Sequence, residues 1–244
     1  MLRTILIFLF LIPYCALGVL SWPVLGIIYL FDKKAPRTFA FRFVRLACRI
    51  ITFLSGTELT VSGLENIPEH AAFYIMNHRS LFDIVLTYPF MKRPTGFIAK
   101  NQLARVPVLA QWMRMAYSLF LDRDNIRQGM KTIQKAIDYL NNGISMCIFP
   151  EGTRNKADDL TDLLEFHTGS FHPAKKVNVP IIPVAIYNSA DCFEKHVPFV
   201  KGCPVKIIFG KPIVLSELSE HDRRTISIYT QNIIQEMLHS CAAE

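Results

Sequence analysis

A histidine and an aspartate lie five positions apart, directly after an apolar run that ends at Met76. On one continuous helix, His78 and Asp83 would stand about 140° apart and could not pair. If His78 lies in a turn and Asp83 in the first turn of the next helix, the carboxylate can accept from one ring nitrogen. The other nitrogen is then left as a base. The alternative is a histidine satisfied in a turn and a carboxylate favoured by the helix dipole.

A second candidate site is the segment Phe-Pro-Glu-Gly-Thr-Arg at positions 149–154. Proline and glycine end a strand here and leave backbone N–H groups beside a guanidinium. Arg154 can hold a phosphate through two parallel hydrogen bonds, and Gly152 allows the backbone to approach it closely. The pattern favours a phosphate site, with an ordinary β-turn as the alternative.

Two further cations, Lys100 and Arg123, follow short apolar runs. Both are expected at strand ends, where α/β domains usually bind their ligands. As alternatives, Arg123 pairs with Asp122 or Asp124, and Lys100 is a solvated charge at the edge of the sheet.

The elements that must position these residues read as an α/β fold with a single mixed, mostly parallel sheet flanked by helices. Strands are predicted at positions 73–76, 96–100, 118–121, 145–149, 181–186 and 205–209. A helix with one apolar face is predicted to begin after Asn125, which can cap it, and to end at Gly143. A second helix is predicted over positions 219–238.

The N-terminal segment carries no charge from position 4 to position 30, longer than the roughly 20 residues that cross a bilayer. We expect it to be retained in the membrane rather than cleaved as a signal. Pro13 and Pro23 leave a kinked span and a shallow re-entrant pair of helices as alternatives. The basic residues that follow place the rest of the chain in the cytoplasm, at the inner or cytoplasmic membrane.

Positions 39–54 predict an amphipathic helix, with Arg42, Arg45 and Arg49 at helical spacing. It suits an anionic membrane interface, with an ordinary helix packed on the body as the alternative. We therefore divide the chain into a membrane-embedded and interfacial segment, 1–56, and a catalytic domain, 57–244.

Composition narrows the partners. The net charge of +7 suits an anionic membrane surface or a phosphorylated substrate. Nucleic acid is disfavoured because no zinc-finger spacing, basic tract or RNA-binding signature occurs. Six cysteines without a Cys-x-x-Cys pair predict free thiols in a reducing compartment and no metal site. They are Cys15, Cys48, Cys147, Cys192, Cys203 and Cys241.

Several catalytic signatures are missing from the sequence, namely Gly-x-Ser-x-Gly, His-Glu-x-x-His, the P-loop and Gly-x-Gly-x-x-Gly. A His–Asp pair without an evident nucleophile predicts direct attack by an activated substrate hydroxyl, and no covalent acyl-enzyme. No cofactor is expected.

Four blocks in order resemble the lysophosphatidic acid acyltransferases (1-acyl-sn-glycerol-3-phosphate acyltransferases) of the glycerolipid acyltransferase superfamily. They are His-x4-Asp at 77–83, the block from Lys100 through Pro107 and Gln111-Trp112 to Leu121-Asp122-Arg123, Phe-Pro-Glu-Gly-Thr-Arg at 149–154, and Val-Pro-Ile-Ile-Pro-Val at 179–184. The fourth block is expected to be mainly structural.

The resemblance implies that His78 is the general base and Asp83 its orienting partner. It also implies a substrate-binding set around the acceptor phosphate, formed by Lys100, Arg123, Glu151, Gly152, Thr153 and Arg154. Two positions depart from the family pattern. Tyr117 replaces a usual glycine and is expected to narrow the pocket, while His167 replaces a usual lysine and is expected to retune phosphate or donor binding.

The expected function is transfer of a fatty acyl group from acyl-CoA or acyl carrier protein to the sn-2 hydroxyl of lysophosphatidic acid, giving phosphatidic acid for phospholipid synthesis. The expected partners are the lipid acceptor, the thioester donor and the membrane. Acylation of another lysophospholipid in membrane remodelling is the nearest alternative. A lipid hydrolase and a non-catalytic lipid-binding scaffold are the others.

Overall fold

The computed structural model describes residues 1–122 and 125–243, and its centre is one sheet. The described strands are β1 Glu58–Ser62, β2 Phe73–Met76, β3 Thr95–Lys100, β4 Leu119–Leu121, β5 Ser145–Ile148, β6 Ile181–Tyr187 and β7 Pro204–Phe209. They are ordered β1-β7-β6-β2-β5-β3-β4. The β6–β7 pair is antiparallel and the other described pairs are parallel, so the predicted mixed, mostly parallel α/β sheet is confirmed.

All six predicted strands are present, with ends shifted by one residue at most. Strand β1 was not predicted. It lies at the edge of the sheet beside β7, and its residues alternate between exposed and half-buried. It therefore lacks the continuous apolar run that marks a buried parallel strand.

Helices flank the sheet on both faces. The described α-helices are α1 Leu2–Phe31, α2 Ala35–Ser55, α3 Phe82–Thr87, α4 Pro107–Met115, α5 Ile126–Asn141, α6 His172–Val177, α7 Glu220–Arg224 and α8 Ile226–Ala243. The helix predicted after Asn125 is confirmed as α5, and the Asn125 side chain accepts from the Gln128 N–H at 3.0 Å. The prediction of a single helix over 219–238 is wrong, because two helices occupy this region. Ser219 caps the short helix α7, and Thr225 separates α7 from α8.

Alternate residues of each strand face two separate cores. In β2, Tyr74 and Met76 pack with side chains of α2 and α3 on one face. Phe73 and Ile75 pack with side chains of α5, α6 and α8 on the other. The central strands are therefore buried on both faces of the sheet.

Helix α1 lies along the body of the protein. It contains both prolines in one helix, so the pair of helices left open by the sequence is not formed within this segment. The ring of Tyr14 stacks on Phe43 of α2 at a centroid distance of 4.1 Å. Near the N-terminus, the Thr4 hydroxyl accepts from the Val200 N–H at 2.8 Å. The helix is long and apolar enough to cross a membrane, and an 18-residue stretch of it has a mean hydropathy of 2.3.

Helix α2 has one face on the body. Phe41 and Cys48 are buried, and the Arg45 guanidinium donates to the Pro89 carbonyl at 3.0 Å. Arg42 and Arg49 are exposed, roughly 80–100° around the helix from Phe41. The amphipathic pattern thus combines a side packed on the body with basic side chains exposed next to it.

Candidate active site

The site lies at the carboxyl edge of the central strands. β2 and β5 are parallel neighbours, with Tyr74 opposite Cys147. The turn after β2 and the turn after β5 consequently emerge side by side. β3 is the next strand beyond β5, and it ends at Lys100. Three of the sequence-predicted segments are therefore brought together by strand order alone.

His78 and Asp83 form a hydrogen-bonded pair. The imidazole Nδ1 lies 2.8 Å from Asp83 Oδ2, and the aspartate is fully buried in the first turn of α3. The same Oδ2 accepts from the backbone N–H groups of Arg79 and Ser80, at 2.8 and 2.9 Å. The Ser189 hydroxyl donates to Oδ1. These donors fix the carboxylate, which in turn fixes the imidazole and leaves Nε2 for a substrate.

The imidazole is held flat against an aromatic ring. Its centroid lies 4.1 Å from that of Phe149, with an interplanar angle of 20°. The His78 side chain is 18% exposed, so the ring is reachable from one side only. That side is a cavity of about 390 Å³, and its lining includes the apolar side chains of Leu81, Ile84, Phe97, Ile98, Leu103, Leu121 and Ile148.

Lys100, Gly152 and Arg154 line the same cavity as His78. Gly152 has a φ of 70°, a conformation that favours glycine and lets the turn fold back beneath the cavity. Thr153 is exposed beside them and is not among the lining residues. Arg123 lies outside the described residues.

Glu151 faces the protein interior. Its Oε1 accepts from the His78 N–H at 2.7 Å, and its Oε2 accepts from the Leu164 N–H at 3.0 Å. Burial raises the pKa of this carboxyl, although both hydrogen bonds oppose the shift. Glu151 was predicted to line the acceptor-phosphate site. The structure instead places its carboxylate behind His78, where it holds the backbone of the dyad.

Glu194 joins the two turns at the site. Its Oε1 accepts from the Leu81 N–H and from Arg154, each at 2.8 Å, and its Oε2 accepts from the Ser80 hydroxyl. Sequence reasoning missed Glu194, because a lone acid among loop residues carries no local signal. Ser189 was also missed, although it closely follows the end of β6. The strand-end argument used for the other motifs would have found it.

Arg79 is a buried clamp beside the dyad. Its guanidinium donates to the carbonyls of Ala157 and Asp162, at 2.8 and 3.0 Å, and also to that of Asp159. The loop so held is also tied to the dyad, because the Asn155 N–H donates to the His78 carbonyl at 2.7 Å. The guanidinium therefore serves the loop and is not free for a ligand.

The two departures from the family pattern lie away from the dyad. Tyr117 adopts a φ of 64° and packs under the Arg37 guanidinium, 4.8 Å from the ring centroid. It is not among the residues lining the His78 cavity, so the expected narrowing is not seen. His167 lines a separate, larger groove of about 1000 Å³, which meets the cavity at Leu121.

No group of three or more potential metal ligands of the His, Cys, Asp or Glu type gathers within the described part of the chain.

The sheet, the dyad and the cation-bearing cavity define a class, an α/β enzyme in which a histidine–carboxylate pair can activate a hydroxyl group. The sequence profile described as Acyltransferase matches residues 58–187. The chain therefore belongs to the acyltransferase family, and it is an acyltransferase.

Individual relatives agree with this family. The chain is 32% identical to a 1-acyl-sn-glycerol-3-phosphate acyltransferase of Borreliella burgdorferi over 201 residues, 81% of this chain and 79% of the relative. It is 28% identical to that of Escherichia coli over 221 residues, 88% of this chain and 86% of the relative.

A solved structure shares the fold. The crystal structure of the 1-acyl-sn-glycerophosphate (LPA) acyltransferase PlsC from Thermotoga maritima superposes with a TM-score of 0.75. The match covers 99% of this chain and 97% of that one, at 24% identity. The architecture is thus shared along nearly the whole chain, including α1 and α2.

Proposed function

We propose that this enzyme transfers a fatty acyl group from an acyl thioester to the sn-2 hydroxyl of lysophosphatidic acid, forming phosphatidic acid. One observation carries the proposal. The paired imidazole of His78 opens into a cavity that also holds two cations, Lys100 and Arg154. A hydroxyl close to a phosphate is the acceptor that such a cavity suits, and the named activity of the relatives supports this acceptor.

In the proposed reaction, Nε2 of His78 removes the proton of the acceptor hydroxyl as its oxygen attacks the thioester carbonyl. The carbon–sulfur bond then breaks, and the imidazolium gives its proton to the departing sulfur, so that the thiol leaves and the neutral imidazole is restored. Asp83 stabilises that imidazolium through Nδ1, 2.8 Å away. General base catalysis of this kind typically contributes about 10²- to 10⁴-fold. Fixing the hydroxyl in line with the carbonyl supplies a further part of the rate.

The cations are proposed to position the acceptor through its phosphate. Arg154 donates from one guanidinium nitrogen to Glu194 and keeps other N–H groups for a phosphate oxygen. Lys100 adds a point charge from the end of β3. Gly152 lets the phosphate approach the backbone of the turn. Thr153, exposed beside them, is the remaining residue of this turn that we assign to the acceptor site.

The apolar walls of the cavity suit an acyl chain. Ile84, Phe97 and Ile148 line it without presenting polar side-chain groups. Such surface is what a fatty acyl group requires when it leaves water. Acyl-CoA and acyl carrier protein both present the chain as a thioester, so the same walls serve either donor.

Membrane association is proposed for the N-terminal helix. Large apolar side chains are exposed along α1, among them Leu9, Ile12, Leu17, Leu20, Val24, Ile27 and Leu30. Exposed apolar area of this extent marks a lipid contact. We propose that the membrane is the cytoplasmic membrane and that the catalytic body faces the cytoplasm.

The acceptor is tested with purified enzyme, a panel of labelled lysophospholipids and both thioester donors. We expect the highest kcat/KM with lysophosphatidic acid and acylated lipid as the product. A preference for a lysophospholipid with a substituted phosphate would reassign the acceptor. Release of free fatty acid without acylated lipid would identify a hydrolase.

The base is tested with His78→Ala. Turnover should fall by about 10²- to 10⁴-fold while membrane association is kept. His70→Ala is the matched control, because His70 is exposed on a loop before β2. Near-normal turnover of His78→Ala would refute the assigned role.

A further inference from the structure

Two cysteines face each other outside the catalytic cavity. The sulfur atoms of Cys192 and Cys203 lie 3.0 Å apart, about 1 Å more than the bond length of a disulfide. Cys192 is fully buried after β6, and Cys203 is partly exposed before β7. Neither lines the cavity that contains His78. Their separation in sequence hides the pair from any search for Cys-x-x-Cys.

The backbone at both cysteines is held in place. The Lys201 N–H donates to the Cys192 carbonyl at 2.9 Å, and the Glu58 N–H donates to the Cys203 carbonyl at 3.1 Å. A sulfur–sulfur bond can therefore form by a small movement of the side chains.

We propose that Cys192 and Cys203 are a reversible redox site. A peroxide oxidises the two thiols to a disulfide that closes the segment 192–203, and a low-molecular-weight thiol reduces it again. In a reducing compartment the pair rests as two thiols and responds when peroxide rises.

Cys203 is the attacking residue, because it is the partly exposed member. The hydrogen bond from the Cys192 thiol lowers the pKa of Cys203, and the charges of Lys201 and Lys195 act in the same direction. Its thiolate attacks one peroxide oxygen, the O–O bond breaks, and the products are a sulfenic acid and hydroxide, which takes up a proton to become water. The Cys192 thiol then attacks the sulfenic sulfur, and a second water leaves. Two thiols and one hydrogen peroxide thus give one disulfide and two waters.

The closed segment carries a residue of the active site. Glu194 lies inside it and holds the Leu81 N–H and Arg154. Ser189, just before Cys192, donates to Asp83. Oxidation is therefore expected to restrain the segment that supports the dyad and the cation, without placing a sulfur atom in the cavity.

Peptide mapping tests the bond directly. The full-length protein in detergent micelles is treated with hydrogen peroxide or with dithiothreitol, capped with N-ethylmaleimide, unfolded and digested with trypsin. Cleavage after Lys176, Lys195, Lys201 and Lys206 separates Cys192 in peptide 177–195 from Cys203 in peptide 202–206. We expect these peptides to be joined after peroxide and separate after dithiothreitol. Recovery of both as separate capped or oxygenated peptides after peroxide would overturn the proposal.

Two variants set the specificity of the test. Cys203→Ser should abolish the joined peptide. Cys15→Ser removes the other partly exposed thiol and should leave the joined peptide intact. Peroxide-induced joining of Cys192 to a different cysteine in the wild-type protein would contradict the assigned pair.

Proteolysis of the folded protein reports the restraint. Closing a loop of this length should raise the equilibrium constant for folding by roughly 100-fold. Native trypsin cleavage at Lys195 and Lys201 should therefore be slower in the peroxide-treated wild type than in its reduced form. Cys203→Ser should show equal rates in both states. Equal rates in the wild type would exclude the restraint, whatever the catalytic activity proves to be.

Discussion

At the scale of single residues, the site depends on carboxylates whose oxygens are all in use. Asp83 serves His78, two backbone N–H groups and Ser189. Glu151 serves two backbone N–H groups, and Glu194 serves a guanidinium, a hydroxyl and a backbone N–H. Such groups are preorganised for the proposed reaction, because no solvent needs to reorient if charge develops on the imidazole.

Asp83→Asn should reduce kcat by about 10⁴-fold, as expected when an amide no longer stabilises an imidazolium or fixes its tautomer. The KM values for acceptor and donor should change little, since Asp83 is buried behind His78. Ser189→Ala keeps the carboxylate and removes one donor to Oδ1, so its loss should be about 10-fold or less. Steady-state kinetics checks both variants. Equal kcat losses in the two would show that the charge of Asp83 is not what matters.

Glu151→Gln should weaken the support behind His78. The amide has a single oxygen for the N–H groups of His78 and Leu164, and its NH₂ then opposes one of them. We expect the free energy of unfolding to fall by about 2 kcal/mol, and turnover to fall as the dyad loosens. Thermal unfolding measures the first effect. Glu165→Gln, at an exposed position, should change stability by less than about 0.5 kcal/mol.

Arg154→Ala should raise the KM for lysophosphatidic acid by about 10- to 100-fold, the usual worth of a charged hydrogen bond. The KM for monoacylglycerol, which lacks the phosphate, should change far less. Arg154→Lys keeps the charge but cannot donate two parallel hydrogen bonds. Its KM for lysophosphatidic acid should therefore lie between those of the wild type and Arg154→Ala. The same rise for both acceptors would assign Arg154 to a structural role.

At the scale of elements, the sequence predicts those parts of the site that directly follow buried strands. β2 and β5 are continuous apolar runs, and the motifs at 77–83 and 149–154 follow their ends. Parallel neighbours then bring both motifs to one edge. Ser189 follows the end of β6 and was open to the same argument. Glu194 was not, because it lies further along the loop after β6 and reaches Ser80 across 114 positions of the chain. Its contacts depend on the path of that loop, which local periodicity does not contain.

Glu151 shows a second reason why part of the site could not be predicted from the sequence. Its place in the motif was visible, but the direction of its side chain was not, since that depends on the loop that returns to Leu164. Tyr117 is similar. Its positive φ explains why glycine suits the position, while its packing under Arg37 depends on α2.

The loop that returns past the site should be sensitive to Arg79. Arg79→Lys keeps the charge but cannot donate to three carbonyls in a planar arrangement. We expect a loss of about 3 kcal/mol in the free energy of unfolding, because the buried side chain at position 79 loses hydrogen bonds that the guanidinium makes to the loop. Arg105→Lys, at an exposed position, is the matched control and should be nearly neutral. Denaturant unfolding in detergent compares them. Equal stability of the two variants would contradict the clamp.

At the scale of the whole molecule, apolar and basic surfaces lie on neighbouring elements. The exposed face of α1 is apolar. Helix α2 packs against another part of α1 and exposes Arg42 and Arg49. An anionic membrane would meet both surfaces, since lipid chains suit the first and head groups suit the second. The net charge of the chain, +7, is also positive and would add to the attraction of an anionic membrane.

The contacts of α1 predict that it lies in the membrane surface and does not cross the bilayer. A helix of 30 residues is roughly 45 Å long, and a crossing would separate its ends by the roughly 30 Å hydrocarbon core. Thr4, however, contacts Val200, and Trp22 lies against Trp112 with ring centroids 6.4 Å apart. The body thus contacts α1 at two positions that are roughly 27 Å apart along the helix axis, and the exposed face is left to enter one leaflet.

The prediction is tested in sealed proteoliposomes of anionic lipid, with a protease-sensitive tag at the N-terminus and the substitution His70→Cys on the body. In the fraction of molecules that a membrane-impermeant maleimide labels at position 70, the tag should be fully cleaved by external protease. Detergent should release no further cleavage in that fraction, because tag and body share one side. A tag that stays protected until detergent is added would mean that α1 crosses the bilayer, and its contacts with Val200 and Trp112 could not then both persist.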